Sequence, residues 1–198
     1  MKQLVLASDN EGKIREIRRI LAPLGIEALP QSHFEIPSAD EPHATFVENA
    51  LAKARHASVL TGLAALADDS GICVDALDGG PGVHSARFAG EPRSDQRNND
   101  RLLEVLAYSE NRKAHYYCVI VLLRHANDPE PLIVEGDWQG EILHERRGTG
   151  GFGYDPLFLD PTLGKSGAEL PLDEKNRVSH RGKALALLVE QLKGSQWQ

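Results

Sequence analysis

Residues 4–7, Leu-Val-Leu-Ala, form a short apolar run that ends on the polar turn Ser8-Asp9-Asn10-Glu11-Gly12-Lys13. Such a run, closed by turn residues, predicts a buried strand. Ile14, Ile17, Ile20, Leu21 and Leu24 then recur at helical spacing, and Gly25 stops the helix they predict. A second helix is predicted from Thr45, because Thr45 and Glu48 fit a capping box and Val47, Ala50, Leu51, Ala54 and Ala57 supply an apolar face. Alanine on that face permits close packing. Residues 63–67 predict another strand, one that ends on Asp68-Asp69-Ser70-Gly71 and so places two carboxylates at its tip.

Asp78-Gly79-Gly80-Pro81-Gly82 reads as a loop, and a third helix is expected after Ser94 with Leu102, Leu103, Val105 and Leu106 inward. Residues 116–123 and 132–138 are the strongest strand candidates, and Asn127-Asp128-Pro129 offers the turn of a long hairpin between them. The glycine-dense stretch 148–153 leads through Tyr154-Asp155-Pro156 to a short strand at 157–159. A last helix starts at Ser179 and carries Ala184, Leu185, Leu187, Leu188 and Leu192. There is no internal repeat or linker. Alternating helices and strands favour an α/β fold with a mixed sheet, and 198 residues fit one large domain or two small lobes.

Composition narrows the class. A chain of 198 residues, 41% hydrophobic and 26% charged, can bury a core without a metal or disulfide staple. A net charge of −7 argues against a nucleic-acid polymer as partner, while leaving room for a small anion held by gathered cations. Cys73 and Cys118 lack any paired spacing and are expected as buried thiols, which suits a reducing compartment. The N-terminus lacks the apolar region of a signal peptide, and no run of about 18 apolar residues could span a membrane. A cytoplasmic protein is the expectation.

Several segments carry candidate chemistry. In Ser8-Asp9-Asn10-Glu11-Gly12-Lys13, helix N-terminal amides, an Asn side chain and a Lys ammonium can converge on a phosphate; the same residues also suit a capped helix with Lys13 in solvent. It is not a P-loop, since Ile14 stands where Ser or Thr is required. Asp68 and Asp69 can present carboxylates to an octahedral magnesium that prefers one or two of them plus phosphate oxygens, or can simply form a turn. Asp40-Glu41 is a second acidic pair. Gly148-Thr149-Gly150-Gly151-Phe152-Gly153 matches a dinucleotide fingerprint literally, but Tyr154-Asp155-Pro156 leads toward a strand and not a helix. The remaining functional reading is a backbone wall for a planar ring, with Phe152 or Tyr154 stacking. Lys165, Lys175, Arg177, His180, Arg181 and Lys183 concentrate cations in the last quarter. His180 and Arg181 fall in the first turn of a helix, where the dipole disfavours cations unless they face an anion or ligand.

Together these segments resemble the Ham1-like family of inosine/xanthosine triphosphate pyrophosphatases. Thr45-Phe46-Val47-Glu48-Asn49-Ala50, Ala67-Asp68-Asp69-Ser70-Gly71, Pro81-Gly82-Val83-His84-Ser85-Ala86-Arg87-Phe88, Gly151-Phe152-Gly153-Tyr154-Asp155-Pro156 and Ser179-His180-Arg181-Gly182-Lys183-Ala184 follow the phosphate-loop segment in the family's order. The resemblance implies a single domain over residues 1–198, with an elongated mixed β-sheet flanked by helices, two lobes with a central substrate cleft, and a homodimer. It implies Mg2+-dependent hydrolysis of ITP, dITP and XTP to the monophosphate and pyrophosphate, which cleanses the nucleotide pool of deaminated purines. Asp69 would bind the metal and act as base, Lys13 would neutralise charge in the reaction, and Asp68 would support them. Ser8, Asp9, Asn10, Glu11, Gly12, Lys13 and Ser70 would hold the phosphates and sugar; Phe152, Gly153, Tyr154, Asp155, Lys175, His180 and Arg181 would hold the base. Family members often carry a Glu-Glu-Thr-Gly-type segment where this chain has Asp40-Glu41-Pro42-His43, so either Asp40 or Glu41 completes the metal environment. A non-catalytic nucleotide sensor and a triphosphatase releasing orthophosphate are the alternative readings.

Overall fold

The first apolar run becomes strand β1 (Lys2–Leu6), in which Leu4, Val5 and Leu6 are sealed from solvent. The computed structural model describes residues 2–193. Helix α1 (Glu11–Leu21) follows, capped by Asn10, whose Oδ1 accepts the Lys13 amide at 3.0 Å and so satisfies one of the first turn's open donors. Ile17 and Leu21 turn inward, and a 3₁₀ turn (Ala22–Leu24) closes on Gly25. Strand β2 (Ile26–Pro30) then pairs parallel to β1. The hydrophobic pattern does not announce this strand, since it holds only five residues between Gly25 and Pro30.

Helix α2 (Phe46–Thr61) is capped by Thr45, whose hydroxyl oxygen accepts the Glu48 amide. The reciprocal half of the expected capping box does not form, because Glu48 takes the Thr45 hydroxyl instead of its backbone amide. Ala50, Ala54 and Ala57 are fully buried, and α2 packs on β1. Strand β3 (Ala64–Val74) pairs parallel to β1 over its first residues. The strand does not end at Asp68-Asp69 but runs 11 residues through Asp68-Asp69-Ser70-Gly71. Lysine partners, described below, pair with the two carboxylates inside the sheet, and hydropathy cannot register that.

Helix α3 (Asp95–Val105) starts at the Ser94 cap and buries Leu102, with Leu106 just beyond it. Leu103 and Val105 are only partly covered. Strands β4 (Lys113–Leu123) and β5 (Leu132–Ile142) each exceed the expected run because their polar ends also pair. Strand β6 (Phe158–Asp160) starts one residue later than expected, and β7 (Lys165–Ser166) pairs antiparallel to it. Helix α4 (Leu172–Val178) is short, polar and without a side-chain cap, so the pattern gave no sign of it; α5 (His180–Lys193) closes the described chain. The sheet is mixed and seven-stranded, in the order β2-β1-β3-β4-β5-β6-β7.

Two compact units divide the chain. One comprises residues up to Asp69, Cys118–Glu135, and those from Lys183 onward; the other is Ser70–Tyr117 with Gly136–Gly182. Each has its own core. Leu6, Ile17, Leu66, Ile120, Leu185 and Leu188 pack in the first, and Ile72, Leu102, Tyr116, Trp138, Leu157 and Phe158 in the second. Cys118 is a buried thiol as expected, whereas Cys73 is only half-buried, and neither forms a disulfide among the described residues.

The β4–β5 turn is organised by Asp128. Its buried carboxylate accepts the amides of Arg124 (2.9 Å) and Glu130 (3.0 Å) and pairs with the Arg124 guanidinium. Those hydrogen bonds, the Arg124 side chain's first, hold its pKa well below the ordinary carboxylate range. A depressed folded-state pKa stabilises the fold at every pH above the unfolded value and is lost only as pH falls through the folded one. Asp128→Ala is therefore expected to lower stability by about 1–2 kcal/mol at neutral pH. Denaturant titrations should show that difference narrowing progressively as pH falls below the ordinary carboxylate pKa; equal stability at pH 7 would remove this role.

Candidate active site

In the first unit, β1 delivers the segment Ser8 to Lys13 into the N-terminus of α1. Ser8 Oγ accepts the Asn10 amide at 3.2 Å, and Asn10 is the helix cap. Glu11 is exposed and Gly12 half-buried in the first turn. Lys13 does not stand in solvent. Its ammonium lies 2.9 Å from Asp68 Oδ2, a carboxylate whose side chain is 0% exposed. Asp9 faces elsewhere: it accepts Ser38 Oγ at 2.8 Å and the Gln31 amide, tying this loop to the segment before Glu41.

The neighbouring carboxylate, Asp69, is reached from α2. Lys53 Nζ lies 2.8 Å from Asp69 Oδ1 and 2.9 Å from Glu41 Oε1, and Asn49 Nδ2 contacts Asp69 Oδ2 at 3.5 Å. Asn49 also grips both main-chain polar groups of His43, which fixes the segment carrying Glu41. Of the two acids left open by the sequence, Glu41 joins this network; Asp40 is exposed and takes no part in it. Burial pushes the Asp69 pKa up more than Lys53 draws it down, leaving a carboxylate of raised basicity. Burial also opposes the charge on Lys53, but Asp69, Glu41 and Asp68 outweigh it and hold the ammonium protonated.

Neither Asn49 nor Lys53 was singled out by sequence. They fall four apart on the alanine-rich inward face of α2, and that misplaced polarity was the available signal. Among the described residues no group of three or more His, Cys, Asp or Glu side chains is placed to hold a metal by itself. The donors present are nevertheless hard oxygens, and Glu41 and Asp69 already share one cation, the Lys53 ammonium. That set fits a magnesium completed by substrate oxygens.

The expected cation cluster of the last quarter separates by burial. Lys175, His180 and Arg181 are buried, while Lys165, Arg177 and Lys183 are exposed. Lys175 pairs with the buried Asp155, and its Nζ sits 4.7 Å from the centre of the half-buried Phe152 ring. The Arg181 guanidinium carbon is 5.6 Å from that centre, and its Nη2 donates to Ser70 Oγ at 3.0 Å. His180 lies flat on Tyr116, ring centres 4.6 Å apart and planes 5° from parallel. Ser179 accepts the Gly182 amide, as an N-cap should. Any side chain at Gly182 would collide with the Asn176 carbonyl, so glycine lets α4 and α5 meet where these cations lie.

Phe152 belongs to the glycine-rich segment, and no helix opens after it, as expected. Gly151 has φ +71°, and a Cβ there would strike the Asp155 carboxylate. That carboxylate also accepts the Phe152 amide at 2.8 Å. Tyr154 does not present its ring: it is 3% exposed within the second core, its hydroxyl donating to the Ser85 carbonyl at 2.7 Å. Of the two rings offered for stacking, Phe152 is the one that stays partly exposed.

The model of the Ham1 family matches residues 4–191. This chain belongs to the Ham1 family. It is 66% identical to the dITP/XTP pyrophosphatase of Nitrosomonas europaea over 97% of this chain and 95% of that protein, and 61% identical to that of Ralstonia nicotianae over 98% of each. Among solved structures, a HAM1 protein from Coxiella burnetii superposes with a TM-score of 0.93 at 47% identity, covering 98% of this chain and 100% of that one. The mixed α/β architecture is thus that of solved Ham1 structures.

Proposed function

We propose that this Ham1 chain hydrolyses non-standard purine nucleoside triphosphates, ITP, dITP and XTP, to the monophosphate and pyrophosphate. The observation that carries this reading is the buried run Asp68-Asp69, each carboxylate matched to its own lysine, Lys13 and Lys53. The names of the relatives, dITP/XTP pyrophosphatases, support it. So does the aromatic and cationic group of Phe152, Lys175, His180 and Arg181, which suits a purine.

In the proposed reaction Asp69 takes a proton from water as its oxygen bonds to the α-phosphorus, and the bond from that phosphorus to the bridging oxygen breaks, releasing pyrophosphate. Lys13 meets the charge that gathers on phosphate oxygens, with Ser8, Asn10 and Ser70 orienting the chain of phosphates and the sugar. Lys53 and Asn49 hold Asp69 in place. Glu41 and Asp69 would hold magnesium, which when bound supplies further positive charge to the phosphates. Phe152 would stack on the base, with Asp155 and Lys175 fixing that ring. The resemblance also supports a homodimer in the cytoplasm; among the described residues no helix is long and apolar enough to cross a membrane.

A panel of nucleoside triphosphates with chromatographic product analysis tests the reading. Inosine and xanthosine triphosphates should yield monophosphate and pyrophosphate well ahead of ATP. A uniform panel, or orthophosphate as product, would overturn it. Excess chelator should stop the reaction, magnesium should restore it and zinc should not be required, since the candidate ligands are all oxygen. Full activity in chelator would contradict the metal assignment.

A further inference from the structure

Gly153 has no side chain, yet both of its main-chain polar groups are taken by side chains of α3. Its amide donates to Asp95 Oδ2 at 2.7 Å, and its carbonyl accepts from Asn99 Nδ2 at 2.8 Å. These partners lie 58 and 54 positions earlier in the chain. Asn99 is 2% exposed, and Nδ2 donates also to the Asp95 carbonyl at 2.6 Å. Turning the amide over would set its oxygen against two carbonyls, so the orientation is determined. Its Oδ1 is then left buried without a hydrogen-bond partner among the described residues. Leucine has the same branching and would carry no unpaired oxygen, so shape alone does not explain the asparagine; the bonds it donates do.

What the grip restrains is the setting of Phe152. That residue stands between Gly151 (φ +71°) and Gly153 (φ +62°), so the backbone on either side is the least restricted the chain can offer. The ring itself is only half-buried. Asp155 fixes the Phe152 amide from one side, and α3 fixes the next peptide from the other. Asn98, by contrast, binds the Ala86 carbonyl and the Ala89 amide, so adjacent residues of one helix hold different segments.

We infer that Asp95 and Asn99 are positioning residues for purine recognition, fixing the Phe152-Gly153 peptide and with it the plane on which the base stacks. The inference rests on the proposed role of Phe152 in holding the base. Its test uses the full-length chain, calorimetric binding of inosine monophosphate, and steady-state hydrolysis of ITP. Asn99→Leu and Asp95→Ala should each weaken monophosphate binding and raise KM by about tenfold, the scale of one lost hydrogen bond, with kcat within about twofold. Asp95→Asn, which keeps an acceptor oxygen, should stay near wild type. In a Phe152→Ala background the effect of Asn99→Leu should shrink below about twofold, since the group it positions is gone.

Unchanged Kd and KM with a lowered melting temperature would overturn the inference, as would a penalty undiminished by Phe152→Ala or no binding of inosine monophosphate by the wild type. Asp95 is exposed in the first turn of α3, so Asp95→Ala gives the same reading should Asn99→Leu fail to fold. Failure of the wild type to release pyrophosphate would instead remove the proposed reaction, while the monophosphate binding series still judges the positioning role.

Discussion

Asp69→Asn is expected to lower kcat by about 10²–10⁴-fold, the contribution of a positioned general base, while the protein remains folded. The substitution keeps side-chain size and the acceptor oxygen that faces Lys53 at 2.8 Å; its amide nitrogen then faces Asn49 Nδ2, so the contact given up is the long one of 3.5 Å. What it removes is a basic site and a negative charge. Asp69 is suited to the role because burial raises its proton affinity and Lys53 with Asn49 fixes its direction. Single-turnover rates and thermal melts of the purified variant check this. Activity within a few-fold of wild type would remove Asp69 from the chemistry.

Arg181→Ala is the second large effect. Hypoxanthine and xanthine carry a keto acceptor at C6, where adenine carries an amino donor. Arg181 and His180 are buried and can donate; donors facing an adenine amino group would go unpaired, at about 1–3 kcal/mol each and more for a charged one. Arg181→Ala should therefore cut kcat/KM for ITP by about 10²-fold or more and lower residual ATP turnover far less, so the ratio narrows. Ser70, which accepts from Arg181 Nη2 at 3.0 Å, indicates that the guanidinium is held and not free to swing. An unchanged ITP:ATP ratio would take Arg181 out of base recognition.

Much of this site was legible from residue order because strand-turn-helix transitions leave local marks. Ser8 to Lys13 follows an apolar run and precedes a helical period, and the structure places Asn10 as cap and Lys13 inward on Asp68. The misplaced cations at the start of α5 are His180 and Arg181, and the structure buries both. Contacts made across the fold left no such mark. Lys53 looks like any helix lysine that could extend to solvent, and only the packing of α2 turns it toward Asp69. Asp68 and Asp69 read as a strand end because carboxylates rarely sit inside a sheet, and their lysine partners lie far away in sequence. Tyr154 and Phe152 are equivalent as stacking candidates in sequence, and burial alone separates them.

The central claim is that water attacks the α-phosphorus and pyrophosphate leaves. Hydrolysis of ITP in water labelled with heavy oxygen, followed by mass spectrometry of both products, tests it most directly. The account predicts one labelled oxygen in inosine monophosphate and none in pyrophosphate. Label in the pyrophosphate, or release of labelled orthophosphate, would contradict it.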